Sequence, residues 1–222
     1  MRQALSLAID RKILTEKVLK TGQQAAYHVV PRNLTSNTSA HIVKSNKALA
    51  QLRLKESAVD IEDLSIEILY NNSQNQKKVA IAIAAMWRQT LGIKTQLLNQ
   101  EWKVFVQSRK SDKRQAFRSG WIADYADALS FLELFTSQSR FNFYHYKNPH
   151  YDEIVKNINI TTDPYLRESL IDQAEILLLQ DMPVIPLYYY VSRHLVKKHI
   201  MGYTDNVADR HLSKYLYKKE KL

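Results

Sequence analysis

The chain has 222 residues and a hydrophobic fraction of 45%, enough to bury a core and to form one or two domains. It contains no cysteine, which excludes disulfides, thiolate metal sites and cysteine nucleophiles. The formal net charge is +10, yet the basic residues are scattered, with small clusters at Arg109-Lys110, Lys113-Arg114, Lys197-Lys198 and Lys218-Lys219. A solvated basic surface is expected, with no nucleic-acid partner.

Ala4, Leu5, Ala8 and Ile9 recur at helical spacing, and Asp10 can cap a further turn through Ile13, Leu14, Val18 and Leu19, ended by Gly22. Met1 leads straight into this helix, with no apolar h-region or cleavage site of a secretory signal. No apolar run approaches the ~20 residues needed to span a bilayer. Residues 23–41 are polar and read as loop, and a short helix is expected over Lys47 to Leu54.

Leu64, Ile66 and Ile68 alternate with polar residues, which predicts a strand into Tyr70. Ser73 and Gln76 form a capping-box pattern ahead of an alanine-rich helix from Lys77 to Leu91. Gly92 stops that helix, and alternation resumes over Ile93 to Leu97. Strand, helix and strand over this distance predict a βαβ unit with parallel strands. Trp102, Phe105, Val106 and Arg109 then share one face of a helix, which leads through a basic turn to a strand at Phe117.

Phe117 to Asp127 holds an arginine, a glycine, a tryptophan and two aspartates within eleven residues. A strand that runs into such a polar loop is where open α/β sheets place ligands. A buried tryptophan with two helix-capping aspartates fits the same residues. Beyond it, Leu129 to Phe135 reads as helix, and Asn148-Pro149 and Asp163-Pro164 each pair a cap with a proline at a helix start. Val184 to Val191 is rich in β-formers, and the tail through Tyr217 is strand-like and basic. The seven histidines show no metal-ligating spacing, and the four glycines form no phosphate-binding loop. Asp124 and Asp127 lack any partner that would position a scissile bond. A binder, not an enzyme, is expected, with no catalytic residues, metal or cofactor.

The run Arg-Ser-Gly-Trp-Ile-Ala-Asp-Tyr, Arg118 to Tyr125, resembles the ligand-site signature of the family 5 extracellular solute-binding proteins, and within them the oligopeptide-binding receptors of bacterial ABC importers. Arg2 to Arg11, Asn99 to Lys103, Pro186 to Val191 and Lys214 to Tyr217 resemble further blocks of that family in the same order. Its members are about twice as long and begin with a signal peptide, so the resemblance covers their C-terminal half, and Met1 reads as an internal start, a truncation or a fragment boundary.

The resemblance implies an α/β fold: a periplasmic-binding-protein type II-like lobe with a mixed sheet flanked by helices. Residues 1–180 would be the ligand-binding lobe, and 181–222 a crossover segment whose strands belong to the other lobe. It implies a periplasmic monomer that binds short peptides and works with an inner-membrane ABC permease. Dipeptides, murein peptides or another small solute are alternatives, as is a truncated remnant without function.

The site residues implied are Trp102, Arg109, Arg118, Gly120, Trp121 and Asp124. Asp124 would pair with the peptide ammonium, because a buried ammonium needs a carboxylate. Arg109 and Arg118 would take C-terminal carboxylates, Trp102 and Trp121 would wall side-chain pockets, and Gly120 would let a peptide backbone approach. Gln76 stands where many members have a histidine.

Overall fold

A computed structural model describes residues 1–35, 43–62, 64–111, 114–206 and 209–219. Helix α1 (Arg2–Leu7) leads to a π-helical stretch, Ile13–Leu19, whose start is capped as expected: Asp10 Oδ1 accepts from Ile13 N at 3.0 Å. It ends before Gly22, at Lys20, which takes the left-handed conformation with φ 55°. Within the segment read as loop, Gln24–Ala25 form a short strand, β1, whose partner comes from the far end of the chain. Residues 36–41 of that segment lie outside the described residues.

Helix α2 (Lys47–Glu56) is capped by Asn46, whose side chain accepts from Leu49 N at 3.0 Å. The expected βαβ unit follows as β2 (Ser65–Asn71), α3 (Gln74–Leu91) and β3 (Lys94–Gln100). The two strands run parallel in register from Ser65 against Lys94 to Asn71 against Gln100. Gly92 closes α3 at φ 74°, a left-handed cap that needs no Cβ. The capping box does not form: the Ser73 side chain makes no cap bond, and Gln76 is buried.

After α4 (Trp102–Ser108), Ala116–Phe117 add a third parallel strand, β4, on the other side of β2, so the order is β3-β2-β4. Helix α5 (Leu129–Leu132) tightens into a 3-10 turn over Glu133–Phe135. Asn148 and Asp163 cap α6 (Pro149–Ile160) and α7 (Pro164–Asp181) in the predicted way, each accepting two backbone N–H bonds ahead of a first-turn proline. Only Tyr188–Tyr189 of the stretch 184–191 forms a strand, β5, antiparallel to β1. Ile200–Met201 (β6) and Tyr217–Lys218 (β7) pair as a separate antiparallel ribbon. The expected mixed sheet is therefore divided among the described residues: one parallel sheet carries the α/β core, and the antiparallel pairs stand apart from it.

Two apolar clusters fill the interior. One lies between α1, α2, α3 and the strands β2 and β3, with Leu14, Ile68, Ile83 and Trp87 at its heart. The other is formed by α5, α6 and α7 around Leu132, Tyr151, Ile158 and Leu178. Long-range polar contacts tie the N-terminal segment to the last fifth of the chain. Arg11, 1% exposed, donates from Nε to Pro186 O at 2.7 Å, from Nη1 to Ser6 O and Ile9 O, and from Nη2 to Ser6 Oγ. Burial lowers its pKa to about 10, so it remains charged at neutral pH. Glu175 of α7 accepts from Val29 N and Val30 N through Oε1, and contacts His28 Nδ1 through Oε2 at 3.1 Å. Beyond β5 the chain runs along the surface, with Leu195, Leu212, Tyr215 and Tyr217 exposed. Among the described residues, no helix is long and apolar enough to cross a membrane.

Candidate functional site

The three parallel strands end together, at Asn71, Gln100 and Phe117. Chain direction alone puts a cluster of polar residues there. Trp102 begins the helix two residues after β3, and Arg118 leaves β4 with its N–H still bonded to Leu69 O at 2.8 Å. The residues singled out in sequence thus flank the carboxyl end of a parallel sheet.

Arg118 folds back over Gly120 and donates from Nη2 to the Tyr190 hydroxyl at 2.5 Å. A Cβ at position 120 would lie 3.2 Å from Arg118 Nη2 and 3.4 Å from Tyr190 Cε2, so glycine leaves the room this contact uses. Tyr190 also accepts from Gln76 Nε2 at 3.4 Å. Gln76 and Tyr190 are thereby joined to Arg118; sequence reading noted Gln76 only as standing where many members have a histidine, and did not place Tyr190 in the site. Tyr188, against Tyr190 at 5.5 Å between ring centroids, has its pKa pushed up to about 12, chiefly by burial.

Arg109 caps the C-terminus of α4, with its guanidinium 4.5 Å from the Phe143 ring and 5.9 Å from Phe105. Trp102 stacks on the same Phe105 at 5.7 Å and is half exposed. Burial lowers the Arg109 pKa; Tyr144 opposes that shift and the nearby Arg118 charge adds to it. The aromatic wall behind both arginines comes from residues 141–146. Tyr144 stacks between Phe117 (5.7 Å) and Phe135 (5.0 Å) and shares a 2.7 Å hydrogen bond with Ser119 Oγ. Burial raises the Tyr144 pKa. Asn142 pins this loop, donating to Thr136 O and Tyr146 O while its Oδ1 accepts from Tyr146 N. No sequence motif marks these residues; the density of aromatics from Phe141 to Tyr146 was the available signal.

The two aspartates have different surroundings. Asp127 Oδ1 accepts from Leu129 N at 2.8 Å, and both its oxygens accept from Arg167 Nη2 at 2.8 and 3.0 Å. It caps α5 and ties it to α7, as the structural reading of the loop expected. Asp124 is exposed; its backbone N–H donates to Ser130 Oγ at 3.1 Å. With Trp121, Asp124 lines a cleft of about 520 Å³ that reaches across Phe141 to Lys156 on α6. Trp121 meets Phe141 at 4.9 Å. The structure thus brings Arg109, Arg118 and Gly120 together, puts Trp102 beside Arg109 through Phe105, and sets Trp121 and Asp124 on the adjoining cleft.

Buried polar atoms without a hydrogen-bond partner accumulate at this end of the sheet: Asn71 Oδ1, Gln100 Oε1, Arg109 Nε, Arg118 Nε and Trp121 Nε1. Each such group costs about 1–3 kcal/mol when left unpaired. Among the described residues, neither arginine has a carboxylate within ion-pair distance, whereas Arg53, Arg114 and Arg167 do.

Residues 1–143 match the family model for bacterial extracellular solute-binding proteins, family 5 (Middle). The chain is 35% identical over 225 residues to the periplasmic murein peptide-binding protein MppA of Escherichia coli, covering 98% of this chain and 42% of that protein. It is likewise 35% identical over 224 residues to the periplasmic oligopeptide-binding protein OppA of the same organism, covering 96% and 41%. The unliganded open form of MppA matches with a TM-score of 0.86 at 33% identity. The Haemophilus influenzae OppA complex with RPPGFSPFR matches at 0.84 and 34%, covering 99% of this chain and 45% of that one. The chain spans less than half the length of these relatives, all named as peptide-binding proteins, and shares their periplasmic-binding-protein type II fold. By sequence and by fold, this chain belongs to the family 5 bacterial extracellular solute-binding proteins.

Proposed function

We propose that this chain is the ligand-gripping lobe of a peptide receptor serving an ABC importer, and that it binds short peptides without chemical change. The observation that carries this reading is the set of unsatisfied polar atoms at the carboxyl end of the sheet, above all two arginines without a carboxylate partner among the described residues. Both guanidinium groups are half-buried, each with its Nε shielded from solvent and unpaired, so a peptide carboxylate offers the charged acceptor that Arg109 and Arg118 lack. Asp124, not engaged as Asp127 is, takes the peptide ammonium. Trp102 and Trp121 wall the side-chain spaces, and Gly120 keeps the rim low enough for a peptide backbone. Similarity to receptors named for oligopeptides and murein peptides supports the substrate class.

In this reading residues 1–180 form the lobe, and residues 181–222 cross toward a second lobe. The exposed apolar side chains Leu195, Leu212, Tyr215 and Tyr217 support that division. The full receptor works as a periplasmic monomer and docks on its permease when closed around the ligand. Calorimetric titration of tri- and tetrapeptides into a two-lobed protein carrying this chain tests the proposal. Wild type binds, Asp124→Asn weakens binding by about 2–5 kcal/mol, and N-acetylated peptides bind poorly to wild type and are much less sensitive to the substitution. Equal affinities for wild type and variant would remove Asp124 from the site.

A further inference from the structure

A second polar cluster lies on the C-terminal extension, away from the sheet. His194 Nε2 and His211 Nε2 both point at Asp209 Oδ1, at 2.7 and 3.0 Å. Their spacing of 15 and 2 residues from Asp209 matches no metal motif, so the sequence gives no warning of it. We propose that His194, Asp209 and His211 bind one divalent transition-metal ion of the zinc type, with a fourth position open to water.

The geometry needs little adjustment. The three donor atoms lie within 4.8 Å of one another. A tetrahedral ion with bonds of 2.0–2.2 Å holds its ligand atoms about 3.3–3.6 Å apart, so each imidazole withdraws from Asp209 by about 0.3–0.9 Å. Without metal, both rings must carry a proton on Nε2 to satisfy the same carboxylate oxygen. A dication satisfies both nitrogens and the oxygen together with neutral rings. Two imidazoles and one carboxylate favour zinc and its neighbours over calcium or magnesium, which prefer all-oxygen sites.

The surroundings hold these ligands in place. Ser192 Oγ donates to Asp209 Oδ2 at 2.7 Å, which leaves Oδ1 turned toward the histidines, as an outer-shell partner of a metal ligand would. Tyr203 stacks on His211 at 4.3 Å between centroids and 22° between planes, and its hydroxyl lies 3.2 Å from His211 Nε2. His194 packs edge-on to His211 at 4.9 Å. Tyr203 is itself fixed by the β6–β7 ribbon: at Gly202 (φ 79°) the backbone comes so close that a Cβ would lie 1.8 Å from Tyr215 O. Asn206 holds the backbone next to Asp209, donating to Arg210 O at 2.9 Å and accepting from Arg210 N at 3.1 Å. Asp209 sits there at φ 50°, a region aspartate tolerates better than most residues. The bound ion would clip the strand exit at Ser192–His194 to the turn before β7.

The test uses the 222-residue chain, without a polyhistidine tag and stripped of metal by a chelator. Co2+ is added and followed by its visible absorption, and Zn2+ affinity is measured against a chromogenic chelator. One ion per chain should bind with a micromolar or lower dissociation constant, and Co2+ should give the intense spectrum of four-coordinate geometry. His194→Gln, His211→Gln and Asp209→Asn should each weaken Zn2+ by at least about tenfold, whereas His199→Gln, an exposed histidine outside the cluster, should not. Circular dichroism of each variant checks that the body of the chain is intact. Zn2+ should also slow proteolysis between residues 203 and 212 in wild type alone. A dissociation constant in the millimolar range, or binding that survives replacement of all three ligands, would overturn the proposal. Neither result bears on peptide binding, which uses different residues.

Discussion

Asp124 and Asp127 are three positions apart and chemically identical, yet their surroundings assign them different work. Asp127→Ala removes an α5 cap and the contact with Arg167, for an expected loss of about 1–2 kcal/mol in denaturant unfolding. Asp124→Ala should change stability by less than about 0.5 kcal/mol, as is usual for an exposed side chain, while abolishing peptide binding in a two-lobed protein. A double-mutant cycle of Asp127 with Arg167 should show coupling; the same cycle with Asp124 should show none. Tyr190→Phe is the companion test on the other rim. It removes the acceptor that holds Arg118, and peptide affinity should fall by about 1 kcal/mol with stability nearly unchanged. Undiminished affinity would mean that Arg118 needs no such support. The motif from Arg118 to Tyr125 could be read in sequence because its residues are contiguous. Tyr190 and the adjacent pair Phe143 and Tyr144 could not, because they reach the site from two other parts of the chain.

Elements with strong local signals were legible in the same way. The Asn-Pro and Asp-Pro starts of α6 and α7, the alternation of β2 and the Gly92 stop of α3 are all set by residues within a turn of the feature they control. Strands β1 and β5 are two residues each and exist because of one another, 165 positions apart at Gln24 and Tyr189. No local pattern could announce them. Ser73 illustrates the opposite failure: the capping pattern is present, but the Gln76 side chain is drawn to Tyr190 instead of back to the helix start. The β6–β7 ribbon gives an element-scale prediction. Gly202→Ala cannot keep both its positive φ and its contact with Tyr215 O, so the ribbon should open. Hydrogen exchange at the Lys219 amide, bonded to His199 O at 2.8 Å, should accelerate while the amides of β2 and β3 stay protected. Global loss of protection would mean the ribbon stabilises the whole lobe.

For the molecule as a whole, two filled apolar clusters predict that the chain folds by itself, since its helices and sheet already bury one another's apolar faces. The proposed peptide site is a different matter: with one wall facing water, each polar contact there would compete with solvent. Circular dichroism should report a folded α/β protein, and titration with a tripeptide should give binding weaker than micromolar. Tighter binding by the isolated monomer would show that a second lobe is dispensable. Because the basic residues behind the +10 charge are scattered, retention on random DNA should be feeble and lost near physiological salt.

The contact between Arg11 and Pro186 O spans 175 positions, and it sets a clock for the protein's birth. At synthesis rates of about 5–20 residues per second, roughly 9–35 s pass between the emergence of the guanidinium and of its acceptor. Throughout that interval the first helix has neither its carbonyl partner nor its strand pairing through β1. A nascent chain stalled before residue 186 should therefore expose its N-terminal segment to protease even with the βαβ unit already formed. The segment around Pro186 is what lets the first helix settle, so this part of the lobe is completed only once residue 186 has emerged.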